Sequence, residues 1–311
     1  MEPINSKTLP MDYTRYLSKD SLVIFLLHGV VEQNNWRIRN YNRKHLEAEF
    51  FRKFLKELLV TGNPLSMDDV VHHHFENKPY PPNSFVITFD DGFWNNLSVA
   101  APILQELSLP ATFYVTSGFV QNNEMSWIDR IEECLEAQSP KSIRVPWISK
   151  PFKLTNRETE IQLLDDIRTK VKGDPTVAVE SLIEDIAFQC NCQAPTQSSS
   201  QLDRKMSWAE VGLLASKPGF IIAGHSHRHG VLAFLNQEEL EWEIDISLRL
   251  LQEKSGITSV HYSYPEGMAH SFDERVINTL KNRGIVCCPT AMAGVNHPTD
   301  DLFRLRRILV T

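Results

Sequence analysis

"VITFDDGF" spans residues 86–93, and two adjacent acids follow its apolar run directly. Val86, Ile87 and Phe89 read as a short buried strand bounded by a glycine. By themselves Asp90, Asp91 and Gly92 suit a plain turn, since Asp and Gly are common turn formers. A second stretch bears on the choice. In "IIAGHSHRHGVL" (221–232) another apolar run ends in glycine, and His225, His227 and His229 follow at once. Neutral imidazole is the commonest protein metal ligand and binds zinc through either nitrogen. A lone histidine there would more often be structural, whereas three at one strand end favour a metal. Two histidines and one carboxylate make an open catalytic zinc site with water in the remaining position. One of the Asp90–Asp91 pair can be the acidic ligand and the other the base, because neighbouring residues diverge in direction.

Further runs frame these two. "LVIFLL" (22–27), "FVITF" (85–89), "ATFYV" (111–115), "FIIAG" (220–224), "VHYSY" (260–264) and "IVCCPT" (285–290) read as buried strands. Apolar residues recur at helical spacing through 43–59, and 96–108, 236–256 and 272–284 also read as helices. Segment 236–256 has early acids, a late Lys254 and Gly256 as a stop. Alternating strand and helix implies a parallel sheet with crossover helices. Both motifs then fall at the sheet end where such folds carry their sites. Between about 121 and 205 the rhythm breaks. "IRVPWISKPFKL" (143–154) reads as a hairpin, 157–173 and 176–189 as polar helices, and "CQAPTQSSSQ" (192–201) as a flexible loop. We read 121–205 as an insertion in a single domain over 1–311.

Composition narrows the function. The 311 residues are 42% hydrophobic and 23% charged, an ordinary globular balance. A net charge of -7 without a basic stripe argues against a nucleic-acid polymer as partner. "LVIFLL" is the longest apolar run and is too short to span a bilayer. The first twenty residues lack a charged-then-apolar export pattern. A cytoplasmic protein without a transmembrane segment is expected. The five cysteines, with Cys287 and Cys288 adjacent, suit a reducing compartment. Cys190 and Cys192 have no answering pair and read as inert thiols. His72, His73 and His74 lead toward a proline-rich connection with no convergent carboxylate, and read as surface residues.

Three stretches in this order resemble the polysaccharide deacetylase family of NodB type. They are Thr88-Phe89-Asp90-Asp91-Gly92, His225-Ser226-His227-Arg228-His229 and the turn Tyr264-Pro265-Glu266-Gly267. Weaker similarity at "LLHGV" (26–30), "LPATFYV" (109–115), "MSWIDRI" (125–131), 206–225 and "FRLRRILV" (303–310) extends the likeness over nearly the whole chain except about 133–203. The resemblance implies a distorted (β/α) barrel with a mostly helical insertion. It implies one divalent metal ion, zinc being expected, on Asp91, His225 and His229. Asp90 would be the general base and His28 the general acid, with His227 outside the ligand set. The implied reaction is hydrolysis of an N-acyl group, N-acetyl first, on an amino sugar. That sugar could be free, nucleotide-linked, lipid-linked or oligomeric. Another amidohydrolase of the same fold, acting on a formyl, ureide or imide group, is the nearest alternative. A non-catalytic glycan-binding remnant is the other, and the intact Asp90, Asp91, His225 and His229 argue against it.

Overall fold

The structure, a computed structural model, describes residues 12–311; residues 1–11, and with them the start of the stretch read for an export pattern, lie outside the described residues. The chain opens with β1 (Leu22–Leu27), β2 (Gly29–Val31), β3 (His45–Glu47), α1 (Ala48–Leu59), β4 (Asn63–Pro64), α2 (Met67–Phe75) and β5 (Ser84–Phe89). After α3 (Ala101–Glu106) and β6 (Ala111–Val115) come α4 (Ser117–Asn122), α5 (Trp127–Ala137), β7 (Ser142–Ile143), β8 (Phe152–Lys153), α6 (Arg157–Gly173) and α7 (Val179–Gln189). The last part holds α8 (Trp208–Ala215), β9 (Phe220–Gly224), α9 (Gln237–Ser255), α10 (Glu274–Lys281) and β10 (Ile308–Leu309).

A parallel sheet in the order β10-β1-β5-β6-β9, with β4 on β5, forms the centre. Strands β1, β5 and β6 are buried along their whole length, and period-two alternation assigns their apolar side chains to one of two cores. Val23, Phe25, Phe85, Ile87 and Phe89 join the core under α1 and α3. Leu22, Ile24 and Val86 face the other core, with Tyr262, Tyr264 and Cys287. Thr88 is buried and donates to the Phe25 carbonyl at 2.7 Å. Asp90 continues the series 86, 88, 90, so strand geometry aims it toward the barrel interior.

Four of the six expected strands are present almost as read. Residues 260–264 and 285–290 are not strands. They make single bridges, Tyr262 to Gly224 and Cys287 to His261. Pro265 and Pro289 lack an N–H, which stops a ladder from extending. Further backbone bonds, Cys288 N to Leu302 O at 3.0 Å and Val310 N to Leu26 O at 3.0 Å, carry the wall round to β1. The result is a distorted (β/α) barrel whose last staves are irregular.

Helix 43–59 is shorter than expected, because His45–Glu47 pair with Gly29–Val31 and the helix begins at Ala48. Tertiary pairing outweighs local propensity there. In 96–108 a π-type turn (Asn96–Ala100) precedes α3, and Pro102 falls in the first turn of α3, where its missing N–H costs little. Helix α9 has an Asn236–Glu239 capping box and ends on Gly256 at φ 74°. His72, His73 and His74 occupy the last turn of α2.

The 121–205 stretch packs its own core around Ile131, Leu135, Leu163, Ile167 and Ile183. The hairpin forms between β7 and β8. The 192–201 loop is tied to the segment between α4 and α5, with Met125 N on Thr196 O at 2.9 Å and Asn123 Nδ2 on Ser198 O at 3.0 Å. Among the described residues no helix is long and apolar enough to cross a membrane.

Candidate active site

Asp90, Asp91, His225, His229 and His28 all line one cavity of about 330 Å³ at the C-terminal ends of β1, β5 and β9. Asp91, His225 and His229 form a group whose ligand atoms lie within 4.8 Å of one another. Asp91 Oδ1 is 3.2 Å from His229 Nε2 and 3.7 Å from His225 Nε2. His227 points elsewhere, its Nδ1 2.9 Å from Ser117 Oγ and its ring against Trp242.

Backbone turns deliver these groups. Asp91 holds φ 78° and Gly92 φ 83°, so the chain swings sharply after Asp90 and separates the two carboxylates. Ser226 and His229 also have positive φ, at 61° and 58°. Such conformations cost energy and cluster where function over-determines the backbone. The Ser226 hydroxyl accepts from the His229 N–H at 2.9 Å, and the Tyr262 hydroxyl oxygen accepts from the Ser226 N–H at 2.8 Å.

The donor set fits a divalent cation. His225 Nδ1 faces the Ser263 carbonyl at 2.9 Å, which fixes the proton on Nδ1 and leaves the Nε2 lone pair toward Asp91. Asp91 Oδ1 is buried and has no hydrogen-bond partner. An orphaned carboxylate oxygen beside two imidazole nitrogens is what such an ion requires. Its other oxygen, Oδ2, is 3.2 Å from Lys44 Nζ, and that lysine is also 3.6 Å from Asp129 at the start of α5. Burial would lower the Lys44 ammonium, but Asp129 and Asp91 outweigh it and raise it.

Asp90 has a different environment. Arg307 grips it bidentately, Nη1 on Oδ1 and Nη2 on Oδ2, both at 2.8 Å. The guanidinium is fully buried and also donates to the Thr290 carbonyl at 2.7 Å and to Ser263 Oγ at 2.9 Å. Burial alone would raise the Asp90 carboxyl, and Arg307 with His225 reverses this and holds it below the usual range. Asp90 is therefore ionised at neutral pH. Arg307→Met is expected to shift the acid limb of kcat/KM upward, because burial then acts unopposed. Arg307→Lys should shift it less, and superimposable pH profiles for parent and Arg307→Met would refute the coupling.

His28 lies on the cavity wall with a buried Nδ1 that has no partner. Desolvation pushes its imidazole down to about 4, against the pull of Asp91. The neutral ring is thus its resting form at pH 7. Glu266, in the third motif, holds φ 61° and pairs with Lys172 of α6 at 2.5 Å. Burial would raise its carboxyl, and Lys172 lowers it. Gly267 permits this turn, since a Cβ there would sit 2.5 Å from the Ala291 nitrogen.

The sequence reading missed Arg307, Lys44 and Lys172. Arg307 is one of three arginines in "FRLRRILV", and only its strand register selects it. Lys44 and Lys172 carry no local signal.

Residues 77–151 match the family model described as polysaccharide deacetylase. This segment contains Asp90 and Asp91, while His225 and His229 lie beyond it. A comparison with curated protein sequences found no match. Among solved structures, IcaB from Ammonifex degensii is similar over 95% of this chain and 94% of its own, at 16% identity and a TM-score of 0.60. The deacetylase PplD of Streptococcus pyogenes, in complex with acetate, is similar over 93% and 92%, at 13% identity and a TM-score of 0.57. The BpsB deacetylase domain from Bordetella bronchiseptica is similar over 94% and 97%, at 16% identity and a TM-score of 0.55. The resemblance read from the motifs therefore holds, and the chain has the polysaccharide deacetylase fold. That class comprises hydrolases acting on carbon–nitrogen bonds other than peptide bonds.

Proposed function

We propose that this protein is a metal-dependent deacetylase that removes an N-acetyl group from an amino sugar within a glycan or glycan precursor. The observation that supports it most is the pairing of two unlike carboxylates in one cavity. Asp91 presents a bare oxygen to two histidine nitrogens, and Asp90 is locked in its ionised form by Arg307. A remnant that only binds glycan has no need of both. The acetate found with the Streptococcus pyogenes neighbour is the product this reading predicts.

Asp91, His225 and His229 would hold the ion. A divalent ion there, zinc being the expected one, supplies Lewis acidity toward the amide carbonyl and acidifies water. Asp90 takes a proton from the attacking water at a carboxylate oxygen, and Arg307 keeps that oxygen in place. Asp90 and Arg307 together stay close to neutral in charge, which limits the cost of burial. His28 hands a proton to the leaving amine. Its resting form is neutral, so it first takes that proton from bulk water, and Asp90 gives up to bulk water the proton it removed, which closes the balance. Among the described residues the Glu266 N–H donates to no backbone carbonyl, which suits it to an oxyanion. The 121–205 stretch, through Trp127, Arg168 and Lys172 on the cavity wall, would shape access.

Metal analysis together with acetate release from a panel of N-acetylated sugars tests the reading. Release of formate or opening of a ureide without acetate release would favour the amidohydrolase alternative. A sharper check concerns His28. His28→Ala should keep the metal and slow amide hydrolysis by about 10²-fold, within the range for a general acid. It should slow an activated aryl ester much less, because that leaving group needs no proton. Equal slowing of both substrates would make His28 structural.

A further inference from the structure

Two adjacent carboxylates in one cavity compete for the same ion. Distance does not sort them, since His225 Nε2 is 3.8 Å from Asp90 Oδ2 and 3.7 Å from Asp91 Oδ1. Their cationic partners do. Arg307 takes both oxygens of Asp90, one guanidinium nitrogen on each at 2.8 Å. Lys44 Nζ lies 3.2 Å from Oδ2 of Asp91, while Oδ1 stays without a hydrogen-bond partner beside the histidines. A carboxylate with both oxygens taken cannot ligate, and one with a single oxygen taken ligates through the other. From this contrast we infer that Lys44 is a positioning residue that makes Asp91 a one-oxygen ligand. By holding Oδ2 it keeps a coordination position open for water, as a catalytic site requires. The inference rests on the ligand set Asp91, His225 and His229 proposed above and adds to it the residue that orients its acid.

The lysine is fixed from three sides. Its side chain is mostly buried, and Asp129 of α5 lies 3.6 Å from Nζ on the side away from the ion site. Asp129 is itself anchored, because the Ser126 hydroxyl donates to its Oδ2 at 2.6 Å. The Lys44–Asp129 pair is close to neutral, so Lys44 orients Asp91 without strongly repelling a cation. Below the ammonium stands the ring of Phe93, its centroid 4.7 Å from Nζ, a favourable cation–π placement. The backbone around Lys44 is equally determined. Asn40 clamps His45, donating from Nδ2 to the His45 carbonyl at 2.9 Å and accepting the His45 N–H on Oδ1 at 2.8 Å. Asn40 and Arg43 both hold φ 57° in the turn between. Pairing of Gly29 with His45 then sets Lys44 in register beside His28, and both residues line the catalytic cavity. Partners of this kind orient metal ligands and tune what the metal does. A lysine needed for the fold alone would be satisfied by Asp129.

Cobalt(II) loaded into the full chain tests this. Its visible absorption weakens as the number of ligand atoms rises, so it reports coordination without any substrate. Lys44→Met should still take up cobalt, but each bound ion should absorb less than in the parent, because both Asp91 oxygens then reach it. With zinc at saturation, kcat of the same variant for an activated aryl acetate should fall about 10–100-fold, the usual cost of losing an outer partner, with KM little changed. Lys44→Arg, which keeps a charged donor, should restore both the spectrum and the rate. Since Lys44→Met leaves Asp129 buried without its lysine, Lys44→Met/Asp129→Asn is measured beside it. The double variant removes both charges and should show the same weakened spectrum. A lysine that served only the fold would, when lost, lower the melting temperature and the cobalt content and leave the absorption per bound cobalt as in the parent. Parent-like absorption per bound cobalt in both the single and the double variant would therefore overturn the inference. A parent protein that takes up no cobalt would overturn the ligand set itself. A parent that binds cobalt and releases acetate from no N-acetylated sugar would refute the deacetylase reading, and the spectra would still decide the role of Lys44.

Discussion

Asp90→Asn is expected to bind a divalent ion as the parent does and to lose roughly 10²- to 10⁴-fold in kcat, the range a general base contributes. The side chain keeps its shape but can no longer accept a proton from water. What remains should be the part due to the ion and to substrate binding. One complication follows from the structure. Both Asp90 oxygens face the fully buried Arg307, and asparagine presents an N–H₂ to one of its donors. Removing one member of a buried pair costs about 3–5 kcal/mol. The single variant should therefore melt at a lower temperature, and a loss of activity could be blamed on the fold. The double variant Asp90→Asn/Arg307→Met separates the two effects. It removes both charges, so thermal stability should largely return while activity stays low. Retention of more than about a tenth of the parent kcat in the folded, metal-loaded Asp90→Asn protein would remove Asp90 from the base role.

The parts of this site that could be read from sequence share a physical property: they are local. Asp90 follows Phe89 and His225 follows Gly224 directly, so strand ends announced by apolar runs placed both at the C-terminal ends of the parallel strands. Strand alternation from Val86 through Thr88 then carries the direction of Asp90. The partners that tune these groups are not local. Arg307 lies 217 residues from Asp90, and nothing in "FRLRRILV" marks it off from Arg304 or Arg306. Lys44 was read inside a helix, and the short β2–β3 pairing that places it next to Asp91 depends on contacts between distant turns. The same limit explains the missing staves. "VHYSY" and "IVCCPT" have the apolar content of strands, but prolines at 265 and 289 leave them with single bridges. Glu266 showed its place in a turn and not its partner, because Lys172 arrives from a helix whose own sequence reads as solvent-facing.

Loss of the metal is the other large effect expected. Alanine at Asp91, His225 or His229 should each lower metal affinity by more than the 10–100-fold that loss of an outer partner costs, and without added metal acetate release should be lost with it. Metal content after dialysis reads this without reference to activity. So does thermal shift, since an ion that binds only the folded state stabilises it by about 2.7 kcal/mol at a concentration 100 times its Kd. The parent should melt higher with added zinc, and the three variants should not. His227→Ala is the internal control. That ring bonds to Ser117 and packs on Trp242, away from the three ligand atoms, so the variant should keep both the metal and the zinc-dependent shift. The His225 variant carries further information. Its Nδ1 faces the Ser263 carbonyl, and Ser263 Oγ accepts from Arg307, so the ligand and the base share one anchoring residue. His225→Ala should thus disturb Asp90 as well as the metal, and its kcat at saturating zinc should fall below that of His229→Ala. Full metal occupancy in both the His225→Ala and the His229→Ala proteins would sink the ligand assignment, and with it the division of labour between Asp90 and Asp91.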